Sequence, residues 1–379
     1  MKFPFLLAVL SLFAASCTLA NANILIKPTF ESSITSNPMA KKIEAGIDQA
    51  ISNIESFIAN PITVSIDFEN MNIGLGQSST VVQDLSYSQY RSDLTNNQKL
   101  SSNDRLALAS LPKASNNPVN GNADVVLTLP NLRAIGETAL GNNGGAFDSS
   151  ISLNLSEMNL SRTGPQDPNK YDLDAETTHE VDEALGIGGS GSVLALSGPT
   201  VPTGAVGSLD LFRFASPGVR SFTTSTTATA YFSIDSGAIN LADFNNGSGG
   251  SDFGDWATGP TPQVQDAFGS PGVDINLGSN ELTALDVVGY NLVSVPEPGI
   301  SALLLSGLIA IGIGSRDVKK IRGSHQGHEG HRGNIKVVRT QSAPNFSLSL
   351  KIILCDLRDL CVSQFPHSGG KGWSLRLRT

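Results

Sequence analysis

Apolar residues recur every three or four positions in "NPMAKKIEAGIDQAISNIESFIAN", at Ile43, Ile47, Ile51, Ile54 and Ile58, and predict an amphipathic helix. The next stretch, "PITVSIDFEN", changes to a period of two at Ile62, Val64, Ile66 and Phe68, the mark of a half-buried strand. "YSQYRSDL" and "SSNDRLALASLP" predict two short helices, the second capped by Ser102 or Asn103. "ADVVLTLPNLRAI" reads as a buried strand, and "SSISLNLSEM" alternates again as an edge strand ending in "SLNL". A helix is expected from about Asp172 to Leu185, stopped by Gly186 where a left-handed turn suits glycine. Beyond Gly189 the pattern is loop and short strand until "NELTALDVVGYNL" predicts a last short helix.

Both ends of the chain stand apart from this alternation. "MKFPFLLAVLSLFAASCTLANA" joins one basic residue, an apolar run and a small-x-small site at Ala20-Asn21-Ala22. Residues 1–22 are therefore read as a secretory signal peptide cut by signal peptidase, with lipoprotein processing at Cys17 as the alternative. Near the other end, "VPEPGISALLLSGLIAIGIGSRDVKKIR" places Pro296, Glu297 and Pro298 before an apolar run, Gly299 to Gly314, and then dilute basic residues. That run is shorter than the ~20 residues a helix needs to cross the hydrocarbon core, so a span requires help from its flanks. Residues 295–322 resemble the PEP-CTERM sorting signal of Gram-negative bacteria. The resemblance implies a C-terminal hydrophobic helix held transiently in the inner membrane until an exosortase cuts near Pro296–Pro298. A plain membrane anchor is the simpler reading. Such signals normally close a chain, whereas residues 323–379 follow here. Residues 316–379 hold twelve Lys and Arg against four Asp and Glu. They also hold His325, His328 and His331 in "HQGHEGH", spaced to bind a metal weakly. Residues 323–379 are expected to be a disordered extension and are assigned no function.

Composition narrows what the remaining residues 23–294 can do. They carry twelve basic and twenty-nine acidic side chains, which excludes a basic patch for nucleic acid. They contain no cysteine, so stability outside the cytoplasm must come from the core, a bound metal or both. No Ser-His-Asp constellation can form around any histidine but His179, the sole one of this stretch, and no P-loop is present.

His179 opens "HEVDEALGIGG", which follows the zincin pattern H-E-x-x-H and its metzincin extension, then departs from both. Glu183 stands where the second histidine belongs, and Gly189 replaces the third. On a helix, His179 and Glu183 lie one turn apart on one face, with Glu176 on the same stripe. Glu180 lies about 100° round, where a zincin keeps the general base that takes a proton from water. Imidazole and carboxylate both reach zinc at about 2.0–2.2 Å, so exchanging His for Glu preserves reach. The carboxylate adds charge and hardness, which shifts preference towards Mn²⁺, Mg²⁺ or Ca²⁺. A third ligand must be a carboxylate, a backbone or amide oxygen, or Tyr. Asp210 in "GSLDLFRF" is the first choice, as the acid of the next ordered segment, and Glu176 the second. The structural alternative is that Asp172, Asp174 and Glu176 only complement a helix dipole.

"HEVDEALGIGGSGS", "LDLFRFASPGVRSF", "TATAYFSIDSG", "LADFNNGSGGSDFGDW" and the closing "LTALDVVGYNL" resemble a group of PEP-CTERM-associated secreted proteins described as metalloproteases. The group's helix reads H-E-I-D-E-V-L-G, which makes Glu183 a family trait. The resemblance, from Asn60 to Leu292, implies an α+β, metzincin-like zinc-peptidase domain over 23–294. It would have a mixed sheet, an active-site helix, a loop-rich C-terminal half and a closing helix beneath the site. The implied activity is hydrolysis of a protein or peptide by water activated at a divalent metal, zinc first and Mn or Ca next, with Glu180 as general base. The competing expectation is a non-catalytic protein of the cell surface or exopolysaccharide matrix, sorted by exosortase. Asp243, Asn245, Asp252 and Asp255 lie among glycines in "DFNNGSGGSDFGDW", as in oxygen-rich calcium loops, without EF-hand spacing. Arg213 and Arg220 are placed either to steady carboxylates near the site or to pair with the acidic surface.

Overall fold

The computed structural model describes residues 23–96, 99–194 and 204–293, all within one unit. The signal peptide expected at 1–22, the sorting motif expected at Pro296–Pro298, the hydrophobic helix expected within 295–322 and the extension 323–379 lie outside the described residues. Among the described residues no helix is long and apolar enough to cross a membrane.

The fold is α+β with a mixed sheet. Strand β1 (Leu25–Phe30) runs parallel to β2 (Thr63–Asn70), β2 parallel to β6 (Ser149–Leu153), and β6 antiparallel to β3 (Gly76–Thr80). The order β1-β2-β6-β3 corrects one expectation, since the "SISL" strand lies inside the sheet and β3 forms its edge. The strand "GQSST" has no apolar face and gave no hydrophobic signal. Between β1 and β2, a one-turn helix α1 (Ser32–Thr35) leads into α2 (Ala40–Glu55). Helix α2 buries Ile43, Ile47, Ile51 and Ile54 as its spacing requires.

The segment "ADVVLTLPNLRAI" is two elements. Strand β5 (Asp124–Thr128) pairs antiparallel with β4 (Val82–Ser86) and passes directly into α5 (Leu129–Ala134). Thr128 caps the helix by accepting from Asn131 N, and Pro130 falls in the first turn, where its missing N–H costs nothing. Helices α3 (Tyr87–Asn96) and α4 (Ser102–Ser110) precede it, and α4 is capped by Ser101, one residue before the expected cap. Ser101 and Asp104 complete a reciprocal capping box. A one-turn helix α6 (Thr138–Gly141) follows α5.

A short parallel pair, β7 (Met158–Asn159) and β8 (Tyr171–Asp172), delivers the chain into α7 (Leu173–Leu185). Asp172 caps α7 by accepting from Asp174 N and Ala175 N, and its carboxylate pairs with Arg162. At the other end Gly186 takes φ 98°, which ends the helix as expected. Helices α2 and α7 approach closely at Gly46, where a Cβ would lie 2.8 Å from Leu173 Cδ2.

After a one-turn helix α8 (Gly188–Gly191), the lower half is short strands and loops. Strands β9 (Arg213–Ser216), β10 (Val219–Arg220), β11 (Tyr231–Phe232) and β12 (Ala242–Asp243) form a small antiparallel sheet ordered β10-β9-β11-β12. Its core is Trp256, fully buried between Phe232 and Phe244 at centroid distances of 5.5 and 5.2 Å. Helix α9 (Ser279–Val288) closes the fold, and Tyr290 just beyond it donates its hydroxyl to Leu185 O at the end of α7.

Candidate metal centre

Helix α7 is almost entirely buried, yet much of what it buries is acidic. Glu180, Asp182 and Glu183 are each no more than 3% exposed. Such a sequence is held in a helix by packing on both sides and by its two caps, not by an apolar stripe. The face carrying Glu176, His179, Glu180 and Glu183 lines a cleft of about 1110 Å³. Residues 71–83, which include β3, form one wall, and loop residues between 249 and 275 form the other.

His179 and Glu183 do share a face. His179 Nε2 lies 3.6 Å from Glu183 Oε1 and 3.9 Å from Asp255 Oδ1, and all three ligand atoms fall within 4.8 Å of one another. Ligands bound at about 2.0–2.2 Å around one ion stand roughly 3.4 Å apart, so an ion fits among these three with small adjustment. The buried group His179, Glu183 and Asp255 can therefore bind a divalent metal.

The surrounding residues orient those donors as a metal site requires. His179 Nδ1 lies 2.8 Å from Val264 O, a hydrogen bond in which Nδ1 donates, so that the neutral ring which binds a metal would turn its Nε2 lone pair towards Glu183 and Asp255. The Gln265 amide lies over the imidazole, its Nε2 at 3.4 and 3.3 Å from the two ring nitrogens, and donates to Asp255 Oδ1 at 3.1 Å. Glu183 accepts from Ser78 Oγ at 2.5 Å through Oε2 and from Gly189 N at 3.0 Å through Oε1. Backbone bonds fix the segments that carry these groups: Trp256 N donates to Gln265 O, and Asn245 N donates to Asp255 O.

Two glycines make room for the carboxylates. A side chain at Gly189 would collide with Glu183 Oε1 and stand 2.6 Å from Asp252 Oδ2. The position where the metzincin pattern sets its third histidine is thus filled by acids from elsewhere, one of them from the glycine-rich loop. Gly76 at the start of β3 does the same on the opposite wall, where a Cβ would meet Glu180 Oε1 and lie 2.6 Å from Glu176 Oε1.

The remaining predicted residues are distributed differently. Asp210 is fully buried, but it accepts from Ser192 Oγ, Val193 N and Gly207 N and faces Arg213 Nε at 3.5 Å, away from His179. Glu176 lines the cleft but is not brought among the three converging donors. The four residues of the expected calcium loop do not come together. Asp243 is exposed and bonded to Asn240, and Asn245 is bonded to Ser248 and Ser251. Asp252 and Asp255 instead join the His179 cleft. Arg213 braces Phe253 O and Asn246 and lies over Phe244, while Arg220 binds Leu211 O and Ser110 O. Both hold backbone in place.

Concentrating these acids distorts their protonation. Burial, then the charge of Glu183, raises Glu180 well above the carboxylate range against the opposing pull of His179. Burial also pushes Asp255 up to about 8 and Asp252 to about 6, the latter helped by Glu183. Burial pushes Glu183 up too, but the hydrogen bond and charge of His179, with the bonds from Ser78 and Gly189, outweigh it and hold this group low. Burial alone would lower His179, but its bond to Glu183 and the charges of Asp255 and Glu180 carry it well above the ordinary value. One imidazolium is the sole cationic group among many carboxylates, and Glu180 Oε2 is buried with no hydrogen-bond partner among the described residues.

Asp255 as a converging donor was not anticipated; its sole signal was its place in an oxygen-rich loop. Val264, Gln265 and Ser78 carried no sequence signal. Compared with known proteins, the chain matches no family model, no curated protein and no solved structure.

Proposed function

We propose that this protein is an exported, metal-dependent peptidase of metzincin-like build, with His179, Glu183 and Asp255 as the residues that hold the ion. The observation that carries the reading is the convergence of Nε2, Oε1 and Oδ1 in a cleft, with the unpartnered carboxylate of Glu180 beside them. A divalent ion held there would supply a Lewis acid that polarises a peptide carbonyl and makes water more acidic. One nitrogen and two oxygens form a harder set than three histidines, which suits Zn²⁺ or Mn²⁺ and tolerates Ca²⁺.

This chain's own residues provide the rest. Glu180 accepts the proton from the attacking water and passes it to the leaving nitrogen, a task suited to a buried carboxylate whose Oε2 has no hydrogen-bond partner among the described residues. Val264 and Gln265 hold the imidazole and Asp255 in register. The edge strand β3 pairs with β6 on one side only and lines the cleft with the other, which offers backbone donors and acceptors to an extended peptide. The signal peptide and the PEP-CTERM-like tail support export and exosortase sorting to the cell surface.

The test is metal content and turnover of the chain purified without chelator. One equivalent of divalent metal, lost in His179→Ala, together with peptide cleavage abolished by Glu180→Gln, supports the reading. Absence of turnover with zinc, manganese and calcium would leave a non-catalytic surface protein.

A further inference from the structure

The cleft is lined by seven carboxylates, and among the described residues lining it there is no lysine or arginine. Two of the seven, Glu183 and Asp255, serve the ion, and a third, Asp172, is paired with Arg162. Glu176, Glu180, Asp252 and Asp266 remain. A divalent ion offsets the charge of its own two carboxylates only, and no lysine or arginine of the lining answers the other four acids. Glu180 Oε2, on a side chain 3% exposed, points to a missing positive or hydrogen-bonding partner in that cleft. Glu176 stands against Gly76, at the beginning of the free edge of β3.

Taking the peptidase reading as its basis, we infer that the cleft selects cationic peptides, with Glu176 receiving a lysine or arginine side chain next to the scissile bond. The spacing follows from the helix. Glu176 is about one turn, roughly 5.4 Å, from the turn that carries His179 and Glu180. An extended peptide on β3 advances about 3.3 Å per residue, so the selected side chain lies within two residues of the bond that is cut. Glycine at position 76 lets the Glu176 carboxylate sit directly against the strand backbone with which an extended peptide would pair. An acidic substrate meets the opposite condition, because each of its carboxylates enters a cleft that already holds unbalanced negative charge.

The probes are fluorescein-labelled octapeptides of alanine and glycine carrying one Lys, Gln or Glu at each interior position in turn. Their binding to full-length Glu180→Gln protein is read by anisotropy with zinc added, and their cleavage by the wild-type chain is read by mass spectrometry. At 50 mM salt the best Lys peptide is expected to bind about tenfold more tightly than its Gln counterpart, with the Glu peptide weakest. At 500 mM salt that advantage should shrink to about twofold. Glu176→Gln should remove most of the Lys advantage, read as the ratio of Lys-peptide to Gln-peptide affinity within that variant. Equal binding of the three peptides, or a Lys preference indifferent to both salt and Glu176→Gln, overturns the inference. Should Glu176→Gln not fold, the wild-type ranking and its salt dependence decide alone. Charge-selective binding without cleavage would sink the peptidase reading and keep the acidic subsite. Cleavage without charge preference would do the reverse.

Discussion

Two buried carboxylate centres, one at Asp210 and one around His179, are built in opposite ways. At Asp210 every demand is met: one hydroxyl and two backbone N–H groups donate to it, and Arg213 supplies the countercharge. At Glu183 and Asp255 the same burial is imposed on a crowd of acids with a single histidine among them, and Glu180 Oε2 has no partner among the described residues. Burying a charge without pairing it is costly, and groups left in that condition within a cleft concentrate where something else is to be bound. The Asp210 centre ties together segments of the lower half, from Ser192 to Arg213. The His179 centre is poised for a cation.

The largest expected effect comes from removing the unpartnered acid. Glu180→Gln keeps the shape of the side chain and deletes its basicity, and peptide turnover should fall by about 10²–10⁴-fold. Metal content, measured by mass spectrometry of the purified chain, should stay at the wild-type level. If turnover survives, Glu180 is not the base, and the contrast between the two centres loses its catalytic meaning.

Removing the satisfied acid should act on folding instead. Asp210→Ala strands Arg213, which is 1% exposed, without its countercharge. Breaking a buried pair from one side costs about 3–5 kcal/mol, so the denaturation midpoint should drop sharply. Metal affinity measured well below the new midpoint should be unchanged. A large loss of metal with little loss of stability would show that Asp210 reaches the ion after all.

How much of this was written in the sequence follows the same division. Helix α7 was legible at both ends, because Asp172 is a cap and Gly186 a stop, and four-residue spacing placed His179 and Glu183 on one face. Helix α2 and strand β2 were legible through isoleucine and valine periodicity. The polar edge strand β3 was not, since "GQSST" covers carboxylates and not an apolar core, and a pattern of hydrophobic positions cannot register it. The third donor was misplaced for a related reason. Asp210 is nearer in sequence to His179 than Asp255, but the turn after Gly186 and the packing of Trp256 bring the later loop back across α7. Chain distance carried no information about that return.

Gly189→Ala tests whether the room at that position matters. A methyl group there collides with Glu183 and crowds Asp252, so one carboxylate must turn away from the site. Affinity for zinc, measured by calorimetry, should fall about 10–100-fold, the usual cost of disturbing the groups that orient metal ligands. Stability without added metal should change little. Unaltered affinity would mean that Glu183 is not held by the geometry at Gly189.

Asp286 offers a third and milder kind of buried acid, and the smallest effect. Burial, then the nearby charge of Asp104, pushes it up to about 7, although Ser101 Oγ donates to it at 2.7 Å. The unfolded chain releases this proton near the ordinary aspartate value of 3.8, whereas the native state keeps it until about 7. Between those limits the folded protein binds the extra proton, so this residue's contribution makes stability fall as pH rises. Asp286→Asn retains an acceptor for Ser101 and abolishes the titration. The variant and the wild type should melt together below about pH 4, separate through the window, and differ by a constant amount above pH 7. The variant should be the more stable there by about 1–2 kcal/mol after allowance for solvent screening. Melting curves at pH 4, 6 and 8 decide it: a variant less stable at pH 8 would show that the Asp286 carboxylate is satisfied in the manner of Asp210, and a gap that is the same at all three would remove the proton from the account.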